Sequence, residues 1–247
     1  MKKFFIIFLF FCFFLLTCGS SNEVPTQPEP DTTQPDTTQP APKKLCALTF
    51  DDGPDLVKTA LVLDKLEKHN VVATFFVIGN KVNKNTKSVL ERAVLRGCEI
   101  ANHSFEHATM TSWKPKQIKE SVQKTNDSVY KYAKVLPKFF RPPNLAVNNT
   151  MFEAIDLPFA EGILGYDWAA CNTTASERAD SILKYIRDGA IILLHDFQPD
   201  PHPTPEALDI LIPALKDLGY EFVTLSDLFS RKGINPFVEY KMWKYVE

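Results

Sequence analysis

The sequence predicts an α/β domain whose parallel strands close, or nearly close, into a barrel. Apolar strands alternate with amphipathic helices from residue 44 onward and give seven strand-helix units, which is typical of a parallel barrel or a doubly wound sheet. The second strand, residues 71–78, is apolar on both faces, as in a strand covered by helices. Polar side chains follow five separate strands, which favours a ring over the single crevice of an open sheet.

The strands are predicted from short apolar runs. The first, residues 45–50, leads directly into Asp51 and Asp52, after which Gly53 and Pro54 turn the backbone. Six further strands follow, at residues 71–78, 98–101, 138–140, 159–165, 190–194 and 220–224.

The helices are predicted from apolar residues spaced along one face, and several have recognisable ends. Pro115 is a favoured first residue for a long helix. Thr174 and Glu177 have the spacing of a capping box, and the helix they begin is expected to end at Gly189. Of the remaining helices, one follows Pro54, one ends at Gly97, one lies near Met151 and one begins at Thr204.

Residues 1–18 have the form of an export signal. Lys2 and Lys3 precede an apolar run over residues 4–16, which is too short to span a bilayer comfortably. Leu15–Cys18 resembles a bacterial lipobox, which implies cleavage before Cys18 and lipidation of its thiol. Thr17 departs from the usual Gly, Ala or Ser, so cleavage to a soluble secreted form stays open. Both routes predict an exported protein, either a membrane-anchored lipoprotein of the cell envelope or a secreted form.

Composition sets the remaining domain boundaries. Residues 19–43 are rich in Pro, Thr and Gln and contain a repeated pentapeptide, so we expect a disordered linker. Residues 44–230 then form the folded domain, and residues 231–247 form a C-terminal extension. The aromatic residues of that extension either pack on the barrel or line a groove, and packing is favoured.

Charge and cysteine usage exclude several classes of protein. The net charge is −2 and no Lys/Arg-rich run is present, so we expect no nucleic-acid partner. Beyond residue 18 the chain has Cys46, Cys98 and Cys171, which are far apart. We predict buried thiols rather than disulfides or metal ligands, and a monomeric protein.

Asp51 and Asp52 lie at the end of a buried strand, where adjacent carboxylates repel each other unless a cation or several donors neutralise them. An ordinary surface turn is the alternative. His103 and His107 are four residues apart, one turn of a helix, so both rings can face one point. Together with Asp52 they offer two nitrogens and one oxygen, the ligand pattern of hydrolytic zinc. Two solvated histidines are the competing interpretation.

Four further assignments follow from that metal site. Asp51 is left free to act as general base on a water whose pKa the cation lowers. Arg141 is the available group to hold Asp51 in place. His195 is placed to protonate a leaving group, and Asp167 is the candidate to raise its pKa. Taken singly, His195 can also be a capped strand end and Arg141 a surface ion pair.

Five short segments, in this order and spacing, resemble the motifs of the polysaccharide deacetylase family, also called the NodB-homology domain or carbohydrate esterase family 4. They are Thr49–Gly53, Asn102–His107, Phe140–Pro143, Asp167–Trp168 and Leu193–Asp196. The resemblance implies a distorted (β/α)7 barrel with one divalent ion, usually zinc and in some members cobalt. It also implies the roles given above for the base, ligands and acid, and it places Trp168 and Leu193 around the acetyl methyl.

Two departures from the family pattern affect the details. Asn144 stands where Tyr is common, but its backbone N–H can still serve the oxyanion hole. Gly165 and Tyr166 replace an extra Trp and Asp, so the fourth motif is reduced. The proline-rich run 198–208 and the Phe140–Leu145 motif look most like the acetylxylan esterase branch, and His202 in that run is interpreted as structural or at the substrate rim.

The resemblance implies hydrolysis of acetyl groups on a carbohydrate polymer, with O-acetyl xylan as the favoured substrate. The alternative is N-acetylglucosamine in peptidoglycan or chitin, because one site can cleave esters and amides. A second class of function is a catalytically inactive carbohydrate-binding barrel. The presence of all the ligands and of the base speaks against it.

Overall fold

The computed structural model describes residues 43–169 and 174–247. The predicted leader with Cys18 and the linker up to residue 42 lie outside the described residues, as does Cys171. No helix in the described ranges is long and apolar enough to cross a membrane.

The described residues contain eight strands and seven α-helices. The strands are β1 Lys44–Asp51, β2 Thr74–Val77, β3 Glu99–Asn102, β4 Phe159–Ala160, β5 Ile163–Leu164, β6 Ala190–His195, β7 Tyr220–Phe222 and β8 Met242–Trp243. The helices are α1 Lys58–Lys68, α2 Lys87–Leu95, α3 Pro115–Ala133, α4 Asn149–Ala154, α5 Ala175–Leu183, α6 Thr204–Asp217 and α7 Leu225–Lys232.

Strand β1 is the centre of the sheet. One of its edges pairs in parallel with β6, and the other is shared by β7 and then β2. Strand β2 pairs with β3, and single bridges through Phe140 continue from β3 to β4. After β4 the chain forms β5, which pairs with β6. The parallel strands therefore follow a ring, and the predicted fold class is confirmed.

Three predicted elements differ from the structure. The fourth strand is reduced to the bridges at Phe140. The fifth breaks into β4 and β5 at Gly162, whose φ is 145° and where an added Cβ would lie 3.0 Å from Leu193 Cβ. Helix α5 ends at Leu183, not at Gly189. In the first two cases the backbone is shaped by neighbouring strands, which propensity does not register.

Burial agrees with the parallel arrangement. Every residue of β1 after Lys44 is buried, as expected for a strand covered on both faces. Cys46 and Cys98 are buried free thiols, which confirms the prediction for these two. Burial raises the pKa of Cys98 to about 11.

The C-terminal segment packs on the domain. Helix α7 runs through the predicted boundary at residue 230. Trp243 is buried, and its ring meets Phe229 with centroids 5.1 Å apart. The Tyr245 hydroxyl donates to the Tyr185 carbonyl at 3.1 Å. Phe237 and Tyr240 stay more than half exposed, although the Tyr240 ring meets Phe152 edge-on with centroids 5.6 Å apart.

Candidate active site

A cavity of about 510 Å³ lies at the carboxyl ends of the strands, within the size range of small-molecule sites. The register of β1 and β6 places Asp51 opposite His195 at this end. Eight of the residues predicted for the site line the cavity, and Arg141 and Asp167 are buried in contact with them. The lining residues are Asp51, Asp52, His103, His107, Pro142, Asn144, Leu145, Leu164, Trp168, Leu193, His195 and Gln198.

Asp52, His103 and His107 converge on one point. Their candidate ligand atoms all lie within 4.8 Å of one another. Asp52 Oδ1 is 3.1 Å from His107 Nε2 and 3.5 Å from His103 Nε2. The two imidazole centroids are 5.0 Å apart.

The predicted helical turn between the two histidines is wrong, because residues 103–107 form a loop. Ser104 and His107 have left-handed backbones, with φ of 63° and 57°. Asn102 Oδ1 accepts a hydrogen bond from the Ser104 N–H at 2.8 Å, and Ser104 Oγ accepts one from the His107 N–H at 3.1 Å. These side-chain contacts, rather than a helix, bring the imidazoles together.

The donor set fits a divalent cation. Asp52 Oδ1 is buried and finds no hydrogen-bond partner within residues 43–169 and 174–247. His103 Nδ1 lies 2.7 Å from the Arg141 carbonyl, to which it donates, so the Nε2 lone pair faces Asp52. Burial opposes ionisation of Asp52, but protonated imidazoles at His103 and His107 outweigh it and lower the pKa of Asp52 well below its usual range, as a cation held between them would also do. An ionised oxygen and two imidazoles are the ligands zinc-type sites use.

The Asp51 carboxylate is held in place by the buried guanidinium of Arg141. Arg141 is fully buried, and its Nη1 donates to Asp51 Oδ1 at 2.6 Å. Its Nη2 donates to the Glu161 carbonyl, and its Cζ lies 4.0 Å from the centroid of the Phe76 ring. The surface ion pair considered for Arg141 is therefore wrong. Asp51 Oδ2 stays on the cavity side, 3.8 Å from His103 Nε2.

His195 is oriented by a carboxylate. Its Nδ1 lies 2.7 Å from Asp167 Oδ1, while Asp167 Oδ2 accepts hydrogen bonds from the His195 N–H and from Thr204 Oγ1. Burial opposes protonation of His195, but Asp167 outweighs it, and the pKa of His195 rises to about 9. The ring is therefore protonated at neutral pH and presents Nε2–H as a proton donor.

Replacement of Asp167 by Asn is expected to lower the pKa of His195, because burial then acts without the opposing carboxylate. A group that works as an acid is lost as pH rises through its pKa, so activity should decline near pH 9 in the wild type. In Asp167→Asn that decline should move about 1–3 pH units lower. A profile of kcat/KM against pH tests this, with Asp156→Asn at an exposed site as control. An unshifted alkaline limb would remove Asp167 from its assigned role.

Other predicted residues also have defined positions. Asn144 lies at the cavity with a φ of 57°, and its side-chain amide donates to Thr109 Oγ1 at 3.0 Å. The Trp168 ring meets His195 edge-on, with centroids 5.2 Å apart. His202 does not line the cavity. Both of its ring nitrogens lack a hydrogen-bond partner in the part of the chain that is described, and burial lowers its pKa to about 4.

Several site residues were missed from the sequence. Gln198 lines the cavity and donates to Asp52 Oδ2 at 3.1 Å. Lys81 Nζ donates to the Asp52 carbonyl at 2.7 Å. Gly53 is required by a close approach, because an added Cβ would lie 2.2 Å from Asp196 Oδ2. Of these three residues, the sequence singled out only Gly53, as part of the turn that follows Asp51 and Asp52.

The fold recurs in a solved structure. The fold superimposes with a TM-score of 0.80 on a family 4 acetyl xylan esterase from Clostridium thermocellum, solved in complex with a cobalt ion. The two sequences are 54% identical over 82% of this chain and 99% of that one. This chain belongs to the polysaccharide deacetylase family. The family model for polysaccharide deacetylase independently matches residues 38–158.

Two curated relatives in the polysaccharide deacetylase family differ in how similar their sequences are to this chain. A bifunctional xylanase/deacetylase of Pseudobutyrivibrio xylanivorans is 50% identical over 94% of this chain. A peptidoglycan-N-acetylglucosamine deacetylase of Listeria monocytogenes is 36% identical over 86% of it. The chain spans 37% and 42% of the lengths of these two relatives.

Proposed function

We propose that this chain is a metal-dependent hydrolase that removes acetyl groups from a carbohydrate polymer, with O-acetyl xylan as the preferred substrate. The observation that carries the proposal is one cavity that holds three convergent ligand atoms, an Arg-bound carboxylate and a carboxylate-bound imidazole. The preference for xylan is supported by two relatives whose names refer to xylan, which are 50% and 54% identical to this chain. The peptidoglycan deacetylase is only 36% identical.

Asp52, His103 and His107 would hold the cation, with zinc preferred and cobalt as the alternative. When bound, a divalent cation supplies Lewis acidity and lowers the pKa of water. Asp51 accepts the proton of the attacking water through Oδ2, since Arg141 occupies Oδ1. The new C–O bond forms at the acetyl carbon, and the Asn144 backbone N–H donates to the oxyanion.

His195 completes the reaction from the opposite strand. Its imidazolium donates a proton to the sugar oxygen while the bond between that oxygen and the acetyl carbon breaks. Acetate and a free hydroxyl are the products. Leu193 and Trp168 give the cavity an apolar wall suited to the acetyl methyl. The same residues cleave an amide if His195 protonates the leaving nitrogen.

A polymeric substrate is supported by exposed aromatic rings beside the cavity. Trp168 and Tyr166 are 45% and 41% exposed, unlike the aromatic residues of the core. Their ring centroids are 5.6 Å apart with an interplanar angle of 37°. Tyr166 has a left-handed backbone with φ of 51°, which costs energy in a residue other than Gly. Two adjacent, partly exposed aromatic rings suit contact with the apolar face of a sugar.

Replacement of Tyr166 by Ala is expected to raise KM for acetylated xylan about 3- to 10-fold. Because Tyr166 lies outside the cavity lining, kcat/KM for a small ester such as 4-nitrophenyl acetate should stay unchanged. Tyr130→Ala, at an exposed position on α3, is the matched control. Equal losses on the polymer and the small ester would contradict a sugar contact.

The deciding measurement for the substrate is acetate release from acetylated xylan and from N-acetylglucosamine oligomers under equal conditions. Release from the first at the higher kcat/KM supports the proposal. Release only from the oligomers makes the xylan preference wrong. Purified protein that holds no cation and releases acetate from neither substrate favours the inactive binding barrel. Export, with Cys18 as the lipid attachment site, is proposed from the sequence and is tested by labelling with a radioactive fatty acid.

A further inference from the structure

Asp52 has three oxygen atoms, and each faces a different environment. Its backbone carbonyl accepts from Lys81 Nζ at 2.7 Å, and its Oδ2 accepts from Gln198 Nε2 at 3.1 Å. Its Oδ1 is buried, faces the two imidazoles and has no hydrogen-bond partner among the described residues. The backbone φ of 77° is left-handed, a conformation that a residue other than Gly keeps only when its surroundings impose it.

Gln198 lies in the loop after β6, and two lysines contact this loop. Lys58 Nζ donates to the Gln198 carbonyl and lies 3.2 Å from Asp200 Oδ1. The Lys81 ammonium lies 3.6 Å from the centroid of the Phe197 ring, so Lys81 contacts both Asp52 and the segment that carries Gln198. Lys81 therefore links this loop to the Asp52 turn, and Lys58 holds the loop to the start of α1.

The amide is chemically suited to this position. An ionised carboxylate only accepts hydrogen bonds, so Gln198 presents its NH₂ group rather than its carbonyl. The last side-chain torsion of Asp is broad and roughly two-fold, so an unrestrained carboxylate does not select which oxygen faces the ligands. A neutral donor on Oδ2 makes that selection and leaves the negative charge for the cation. A lysine or arginine at the same place would compete with the cation.

We propose that Gln198 is a positioning residue for the metal site: its amide fixes the Asp52 carboxylate so that Oδ1 faces His103 and His107, and it thereby sets cation affinity. The inference rests on the metal site of the proposed function. Partners that orient metal ligands typically change affinity about 10- to 100-fold when they are removed. His103 already has such a partner in the Arg141 carbonyl, and Gln198 provides the equivalent for Asp52.

The test compares Co²⁺ binding by the full chain and by Gln198→Met, which keeps the length of the side chain but has no N–H. Both proteins are stripped with a chelator and titrated with Co²⁺ against a chromogenic competitor. We expect Co²⁺ to bind the variant about 10- to 100-fold more weakly, and activity to recover when Co²⁺ is saturating. Gln123→Met is the matched control, since Gln123 donates to Asp127 at 2.7 Å on exposed α3; its affinity should stay within about twofold of wild type.

The outcomes separate the two proposals. If the wild type binds no Co²⁺, the metal-dependent function is wrong. If the wild type binds and Gln198→Met binds equally tightly, the positioning role is wrong. A raised KM with unchanged Co²⁺ affinity would also overturn it, because that result assigns Gln198 to substrate contact. Gln198→Asn, whose amide is one methylene shorter, gives the same readout if Gln198→Met does not fold.

Discussion

Replacement of Asp51 by Asn is expected to lower acetate release about 10²- to 10⁴-fold, the usual contribution of a general base. The Asn amide cannot take a proton from water at neutral pH, although its oxygen can still accept the hydrogen bond from Arg141 Nη1 that Asp51 Oδ1 accepts at 2.6 Å. The fold and the three ligand atoms should therefore remain intact.

Acetate release and bound cation should be measured on the same preparation of Asp51→Asn. Loss of turnover with unchanged cation content identifies a base rather than a ligand. Asp127→Asn, on the exposed face of α3, serves as control because it removes a carboxylate far from the cavity. If Asp51→Asn turns over at the wild-type rate, Asp51 is not the base.

Replacement of Arg141 by Met should have the largest effect on stability. Arg141 is fully buried and Asp51 is only 3% exposed, so the change leaves a buried carboxylate without its cationic partner. Breaking such a pair typically costs about 3–5 kcal/mol in the free energy of unfolding. Activity should fall as well, because Asp51 Oδ1 loses the contact that orients the base.

Urea unfolding of chelator-treated protein measures this loss without a contribution from bound cation. Arg96→Met provides the comparison, since Arg96 forms an ion pair with Glu67 and its side chain is 60% exposed. Exposed pairs contribute about 0–1 kcal/mol, so the control should change little. A loss for Arg141→Met as small as that of the control would contradict the buried pair.

Sequence signals that span only a few residues correctly predicted where helices begin. Thr174 and Glu177 form the capping box that their spacing indicates, and α3 begins at Pro115. Both signals involve groups within one turn of each other, so the chain encodes them locally. The strand predicted at 138–140 is reduced to two parallel bridges at Phe140. The helical turn predicted between His103 and His107 was wrong, because hydrogen bonds to the side chains of Asn102 and Ser104 decide that conformation.

The ten residues predicted for catalysis, metal binding and substrate contact all lie in or against one cavity. Their clustering was predictable because most of these residues directly follow predicted strands, and the carboxyl ends of parallel strands meet at one end of a barrel. Gln198 and Tyr166 carried no comparable signal. Gln198 contacts Asp52 from 146 residues away, and a lone amide in a proline-rich loop has no pattern that points to a carboxylate.

Residue types and their spacing therefore specify the family, the alternation of strands and helices, and the groups that can bind a cation or move a proton. Tertiary structure decides which oxygen of each aspartate is available: Arg141 occupies Oδ1 of Asp51, and Gln198 occupies Oδ2 of Asp52. The physical reason is that these choices depend on hydrogen bonds between side chains that meet only after the ring of strands has formed, and no local preference of the chain encodes them.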